Sequence, residues 1–188
     1  MDKKFKYGVE GKWLFKNDKR WILSLGTRKD IEQLGVSLTT ANEVLERSFA
    51  TTSIFTRGDN TKLSNLDLTN VKISMEPFKN VELRLGSTYK TLESSDPELF
   101  NVDYFDENGE IQSSIEQVDV SVAVQYTPKR QSYGFGVKRS VSNNNRFPTF
   151  FLSYTRGLKG VFNSDFDYHK VQFFYEQPAQ LGLFGRLT

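Results

Sequence analysis

The chain has 188 residues, 37% hydrophobic, 26% charged and 14% aromatic, with a formal net charge of +2. That length allows one large all-β domain or two small ones, and the near-balanced charge removes any global case for nucleic acid. With no cysteine there is no disulfide framework and no thiol chemistry, and no run of about 18 apolar residues exists to cross a bilayer as a helix.

The first residues, MDKKFKYGVEGKW, lack the apolar core of a signal peptide. The chain is therefore expected to be either cytoplasmic or a mature or internal piece of something longer. Phe5, Tyr7, Val9, Trp13 and Phe15 share one parity, and Lys4, Lys6, Glu10 and Lys12 the other. This is the period-two pattern of a half-apolar strand. Lys16 to Lys19 is a polar turn, after which Trp21, Leu23 and Leu25 open a second strand towards Asp30. Alternation fails from Glu32 to Asn65, a long loop in which Thr39 to Arg47 carries a threonine cap and helix-tolerant residues. A strand follows over Leu66 to Met75, its phase slipping between Leu68 and Val71 as at a bulge. Pro77 to Asn80 is a tight turn, and Val81, Leu83, Leu85 and Tyr89 then alternate with Glu82, Arg84, Thr88 and Lys90.

Leu92 to Ser113 is a second long loop, acidic through Glu93, Asp96, Glu98, Asp103, Asp106, Glu107 and Glu110. The clearest strand comes next. Val118, Val120, Val122, Val124 and Tyr126 fall on one face, with Asp119, Ser121, Ala123 and Gln125 on the other. Thr127 to Gln131 breaks the pattern like a tight reversal, and Tyr133, Phe135 and Val137 resume it, predicting a hairpin over 114–141. Further strands are expected around Phe150, Leu152 and Tyr154, around Val171, Phe173 and Tyr175, and from Leu181 onwards.

The expected fold class is all-β: one antiparallel up-and-down meander of about seven to nine strands over residues 1–188, with long loops at 32–65 and 92–113. The connections KNDK, PFKN and TPKRQ are short and alternate with long ones, which gathers the tight turns at one end. Transmembrane β-barrels show that asymmetry. The strands, roughly 9–13 residues each, match the ~9–11 tilted residues that cross a bilayer. In such a barrel segment Val118, Val120, Val122, Val124, Leu83, Leu85, Phe150 and Leu152 would face lipid. Glu82, Arg84, Lys90, Asp119, Lys138, Arg156 and Lys170 would be lumen-facing charges. The alternative is a soluble β-barrel or sandwich that binds a ligand or partner, because alternation alone does not tell inside from outside.

RFPTFFLSYTRGLKG (146–160), FDYHKVQFFYEQ (166–177), LGLFGRLT (181–188) and LGTRKDIEQLG (25–35) carry a resemblance. Together they resemble the barrel region of a Gram-negative outer-membrane family. That family joins an amino-terminal carboxypeptidase-regulatory-like domain to a carboxy-terminal β-barrel of unknown function, distantly similar to outer-membrane assembly and two-partner secretion barrels. The resemblance implies a cell outer membrane location and a structural, transport or export-assembly role, with outer-membrane lipid and the flanking barrel strands of the full-length protein as partners. Neither a regulatory-like domain nor a signal peptide is legible in these residues, so the chain is expected to be a fragment of a longer barrel. Its edges should lie at Phe5–Phe15 and Leu183–Thr188. Arg156-Gly157 has the dipeptide of the assembly superfamily's lumenal loop but sits at a strand end, so that role is not carried over.

Residues with catalytic or binding chemistry are few, and no enzyme or cofactor is expected. His169 is the only histidine, which leaves no basis for a histidine metal site or a triad. The acidic segment DENGE (106–110) lacks the spacing and distal glutamate of an EF-hand and reads as a solvated loop. Arg57-Gly58-Asp59 reads as a chance turn in a polar loop.

Overall fold

The computed structural model describes residues 5–33, 63–106, 109–137, 139–142, 147–164, 166–180 and 186–187. The elements in chain order are β1 (Tyr7–Lys16), a single 3-10 turn (Asp18–Arg20), β2 (Trp21–Gln33), β3 (Leu63–Phe78), β4 (Val81–Ser94), β5 (Tyr104–Phe105), β6 (Ile111–Gln112), β7 (Ser114–Tyr126), β8 (Gln131–Tyr133), β9 (Ser140–Ser142), β10 (Thr149–Gly157), β11 (His169–Glu176), β12 (Ala179–Gln180) and β13 (Arg186–Leu187). Seven of them form one antiparallel sheet in the order β1-β2-β3-β4-β7-β10-β11. The protein is thus an all-β antiparallel meander. Among the described residues its sheet is open, with β1 and β11 at the edges.

Each long strand is built from alternating residues whose apolar members are β-branched, leucine or aromatic, which suits a pleated surface with two unlike faces. The pairing carries this alternation across the whole sheet. Trp13 stands opposite Leu23, Leu23 opposite Ile73 and Ile73 opposite Leu85. Leu85 stands opposite Val122, Val122 opposite Tyr154 and Tyr154 opposite Val171. One face is therefore apolar from edge to edge. Its reverse carries Lys72, Arg84, Ser121, Gln125 and Ser153. On that polar face side chains crowd over glycines: a Cβ on Gly26 would lie 2.5 Å from Asn70 Oδ1, and one on Gly86 3.0 Å from Ser121 Oγ. Such packing marks the inner side of a curled sheet.

Three local expectations change. The hairpin over 114–141 does not form, because β7 pairs with β4 and β10 while β8 pairs with β9 in a separate ribbon. Gly134 and Gly136 take positive φ and residues 134–137 bend away, so Phe135 and Val137 do not continue a strand. As a result β7 and β10 are joined not by a tight turn but by a long strap, residues 127–148. The bulge is also elsewhere. Pairing of β3 with β4 runs without a shift from Ser64 to Met75, and the irregularity falls between Met75 and Phe78. The apparent slip at Leu68 arises because apolar residues change faces near the loop end, where Leu66 and Leu68 lie on the otherwise polar side. Finally, the second edge is β11, while β13 pairs with β12. The helix expected at 39–47 and the Arg57-Gly58-Asp59 turn lie outside the described residues.

The buried core is small. Among the described residues Leu66 and Leu92, opposite each other on the polar side, are buried, as are Val102, Val118 and Phe151.

Candidate functional site

Two connections of the sheet, 17–20 and 79–80, and the start of a third at Thr127 to Arg130 lie at one end, and charged residues in or beside them converge on the polar face. The two-residue turn Lys79-Asn80 needs a left-handed residue, and Asn80 supplies it at φ 68°. The irregularity just before it leaves Glu76 half-buried beside Glu82 of β4. Arg84 donates from Nε to Glu82 Oε1 at 2.8 Å and from Nη2 to Gln125 Oε1 at 2.8 Å. Arg130, from the turn after β7, donates to Glu82 Oε2 at 2.9 Å and to Glu76 Oε1 at 3.0 Å. Arg20 closes the chain of charges, its Nε 3.5 Å from Glu76 Oε1.

Arg20 also reaches out of the cluster. Its Nη1 and Nη2 donate to the carbonyls of Gly136 and Val137 at 3.4 and 3.2 Å, tying the strap to the polar face. Burial, and then the nearby Arg139 guanidinium, pull Arg20 below the ordinary arginine range, and Glu76 opposes them. Each carboxylate is shared between two guanidiniums, an arrangement that lets partly buried charges persist. Glu82 and Arg84 were legible as polar-face charges. Arg20, Glu76 and Arg130 were not, because each sits in or beside a turn where alternation stops. Their one trace in the sequence is that every short turn is flanked by Arg or Glu.

A second cluster lies on the same face near the other end. Tyr168 donates to Asp119 Oδ1 at 2.5 Å, and Gln117 Nε2 donates to the Tyr168 hydroxyl at 2.7 Å and to Asp119 Oδ2 at 2.8 Å. Burial, reinforced by the hydrogen bond to Asp119, pushes the Tyr168 hydroxyl well above its ordinary value. The ring lies on Gly157, where an added Cβ would be 2.6 Å from Tyr168 Cδ1 and 2.8 Å from the Phe166 carbonyl oxygen. Near this end the chain after β4 is linked to β3, Ser95 N–H donating to the Leu63 carbonyl at 2.9 Å. Asp96 and Asp106 there accept hydrogen bonds from the backbone of Glu98 and Glu110, so these carboxylates shape turns. Among the described residues no group of three or more His, Cys, Asp or Glu is placed to hold a metal ion.

The apolar face has its own boundaries. At the turn end an aromatic row runs across the sheet: Trp13, Phe15, Trp21, Phe78, Tyr126, Phe150 and Tyr175. Ring centroids are 6.1 Å apart for Trp13 and Phe15, 6.3 Å for Tyr126 and Phe150, and 5.1 Å for Phe150 and Tyr175. Towards the loop end stand Tyr7 and Tyr89, with Phe162 5.9 Å from Tyr89, while Tyr154, opposite Val122, lies nearer mid-sheet. Charge appears here, with Lys29 and Asp67 paired at 2.9 Å and Glu116 beside Tyr89, and two residues nearer the turn end at Arg156, opposite Val120 and near Asp167. From the turn-end row as far as Tyr154 and Val122 the face carries no charged residue among those described.

Val120, Val122, Val124, Leu85, Phe150 and Leu152 all lie exposed on this face, and Leu83 is half-buried there. Val118 shares the face but is 4% exposed. The link after β10 folds back along β7, Leu158 N–H donating to the Val118 carbonyl at 2.8 Å, and covers it. Glu82, Arg84, Lys90, Asp119 and Lys170 occupy polar-face positions. Arg156 does not: it pairs with Val120 and shares the parity of Leu152 and Tyr154, so it borders the apolar face. Lys138 lies outside the described residues. His169 sits opposite Arg156, its Nδ1 2.6 Å from the Tyr154 hydroxyl.

A family model described as "Family of unknown function (DUF5686) C-terminal domain" matches residues 1–188. No curated protein and no solved structure matches the chain.

Proposed function

The chain belongs to the C-terminal domain of the DUF5686 family, whose function is unknown, and we propose that this domain is a segment of a transmembrane β-barrel in a Gram-negative outer membrane. Its role is structural, in transport or in protein export and assembly, without catalysis or cofactor. In the full-length protein it would follow a carboxypeptidase-regulatory-like domain, as the sequence resemblance implies.

One observation carries the proposal: the uncharged apolar face, exposed across all seven strands and bordered by aromatic rows. Val122 is 37% exposed, Leu152 51% and Val171 68%, and no second layer covers them among the described residues. In water each such side chain would forgo about 1.5–3 kcal/mol of burial. A contiguous face of this extent exceeds the apolar patches that soluble monomers expose. From Tyr126 to Val120, the last exposed residue of this row on β7, the band runs six residue steps, about 20 Å along the strand and about 14 Å after a tilt of about 45°, within the ~25 Å height of outer-membrane barrels. Aromatic residues at both borders fit the interfacial girdles of those barrels, and the ion-paired polar face fits a lumen.

A soluble sandwich would need a second sheet or a partner over the same face. Partitioning of the expressed chain between detergent and aqueous phases tests the proposal. Recovery in the detergent phase is expected; a monodisperse folded monomer in water without detergent overturns it. No helix among the described residues is long and apolar enough to cross a membrane, which says nothing about crossing by strands.

A further inference from the structure

We propose that the sheet is completed by an odd number of further antiparallel strands, more than one, which belong to the same polypeptide and not to a second copy. This rests on the barrel proposal above and concerns how such a barrel closes.

Strand direction carries the inference. The seven strands alternate in direction across the sheet, every neighbouring pair being antiparallel. The first and the seventh, β1 and β11, therefore run the same way. Closing the sheet by joining its own edges would make a parallel pair, with slanted and slightly weaker hydrogen bonds. A ring of identical copies meets the same obstacle. Rotation about an axis along the barrel preserves strand direction, so β11 of one copy would again meet β1 of the next in parallel. A two-fold axis in the membrane plane restores antiparallel pairing, but it puts one copy's turns on the side where the other has its loops. One intervening strand, or any odd number, restores alternation. The total is then even, as in bacterial outer-membrane barrels.

One extra strand leaves too little room. An eight-stranded cylinder has an interior just wide enough for side chains. Here the inner face holds the Arg20, Glu76, Glu82, Arg84 and Arg130 cluster with the carbonyls of Gly136 and Val137 lashed to it. Main chain as well as side chains must fit inside.

Both edges are prepared for partners. Tyr7, Val9, Trp13 and Phe15 on β1, and Val171, Phe173 and Tyr175 on β11, are exposed on the apolar face. Neither row is interrupted by the charge or proline with which proteins guard a free edge. Unpaired edge amides in hydrocarbon cost several kcal/mol each, so in a bilayer both edges must be hydrogen-bonded.

The test uses the full-length protein in outer-membrane vesicles, with cysteines at Val9, Gly11 or Trp13 of β1 combined with cysteines at Val171, Phe173 or Tyr175 of β11. A Leu23→Cys and Ile73→Cys pair, directly opposed on β2 and β3, serves as control. Upon oxidation the control should bridge and the β1–β11 pairs should not. Amides of both edges should exchange as slowly as those of β4 and β7. A β1–β11 bridge within one chain would show self-closure, and one between chains would show a ring of copies; either overturns the inference. So would edge amides exchanging a hundredfold or more faster than those of β4 and β7 while the control bridges. Extraction of the protein by alkaline carbonate is scored separately. Release from the membrane would retire the barrel proposal, whatever the edges show.

Discussion

Gly157 shows how one missing side chain sets local architecture. Tyr168 lies flat on it because no Cβ intervenes, and that position delivers the hydroxyl to Asp119 and Gln117. Gly157→Ala should therefore cost about 1–3 kcal/mol in denaturant unfolding from detergent micelles, as overpacking does elsewhere. Tyr168→Ala in the same chain should relieve only the part due to the ring, because the Phe166 carbonyl oxygen, 2.8 Å from the added Cβ, remains; an unchanged midpoint for Gly157→Ala alone would contradict the close contact. The same tyrosine predicts a pH dependence. Its folded-state pKa lies above the ordinary 10.0, so folding favours the protonated hydroxyl. That contribution is present in full below about pH 10 and is lost as pH rises through the folded value. Compared with Tyr168→Phe, the natural protein should lose stability above about pH 10, and parallel stability curves for the two would argue against it. Arg156 illustrates what residue type alone does not tell. Its charge suggests the polar side, whereas its register opposite Val120 puts it on the apolar face.

Among elements, the strap between β7 and β10 departs furthest from expectation. Its start, Thr127-Pro128-Lys129-Arg130, is good turn chemistry, and Tyr133, Phe135 and Val137 alternate as a returning strand would. Gly134 and Gly136 at positive φ interrupt that alternation, and Phe150, Leu152 and Tyr154 offer β7 a longer apolar partner in full register. The freed segment folds against the polar face, where Arg20 holds it. Arg20→Ala should favour opening of the strap by about 1–3 kcal/mol, the scale of hydrogen bonds made by a charged group. Limited proteolysis within residues 131–142 should accelerate accordingly while amide protection in β3 and β4 stays unchanged. Equal cleavage rates would mean that the two carbonyl contacts do not hold the strap. A general collapse of protection would mean that Arg20 supports the sheet instead.

For the whole molecule, the informative contrast lies between neighbouring residues of one strand. Val122 faces the apolar side and Ala123 the polar side of β7, one residue apart. Val122→Arg should reduce stability in the bilayer by about 2–4 kcal/mol, the cost of a cation at mid-membrane on the lipid face, and Ala123→Arg far less. Insertion into lipid vesicles, read by heat-modifiable migration on gels, would measure both. Equal efficiency for the two variants would count against an apolar face in lipid.

Period-two alternation, aromatic content and turn residues were enough to determine an antiparallel meander and the two unlike faces of β4, β7 and β10. These features are local, written within a few residues of where they act. The sequence also indicated the convergence of tight turns on one end, except where the strap replaced a turn. Only the tertiary structure decided that β7 pairs with β10, that Val118 is covered by the link after β10, and that Arg20, Glu76 and Arg130 join Glu82 and Arg84. Each of these depends on residues far apart in sequence, brought together by strand register and by segments that fold back after alternation has ended. Strand pairing is a competition among all apolar strands of similar length, and the winner is set by how much register and face can be matched at once. That comparison is made in three dimensions, and a one-dimensional pattern carries no record of it.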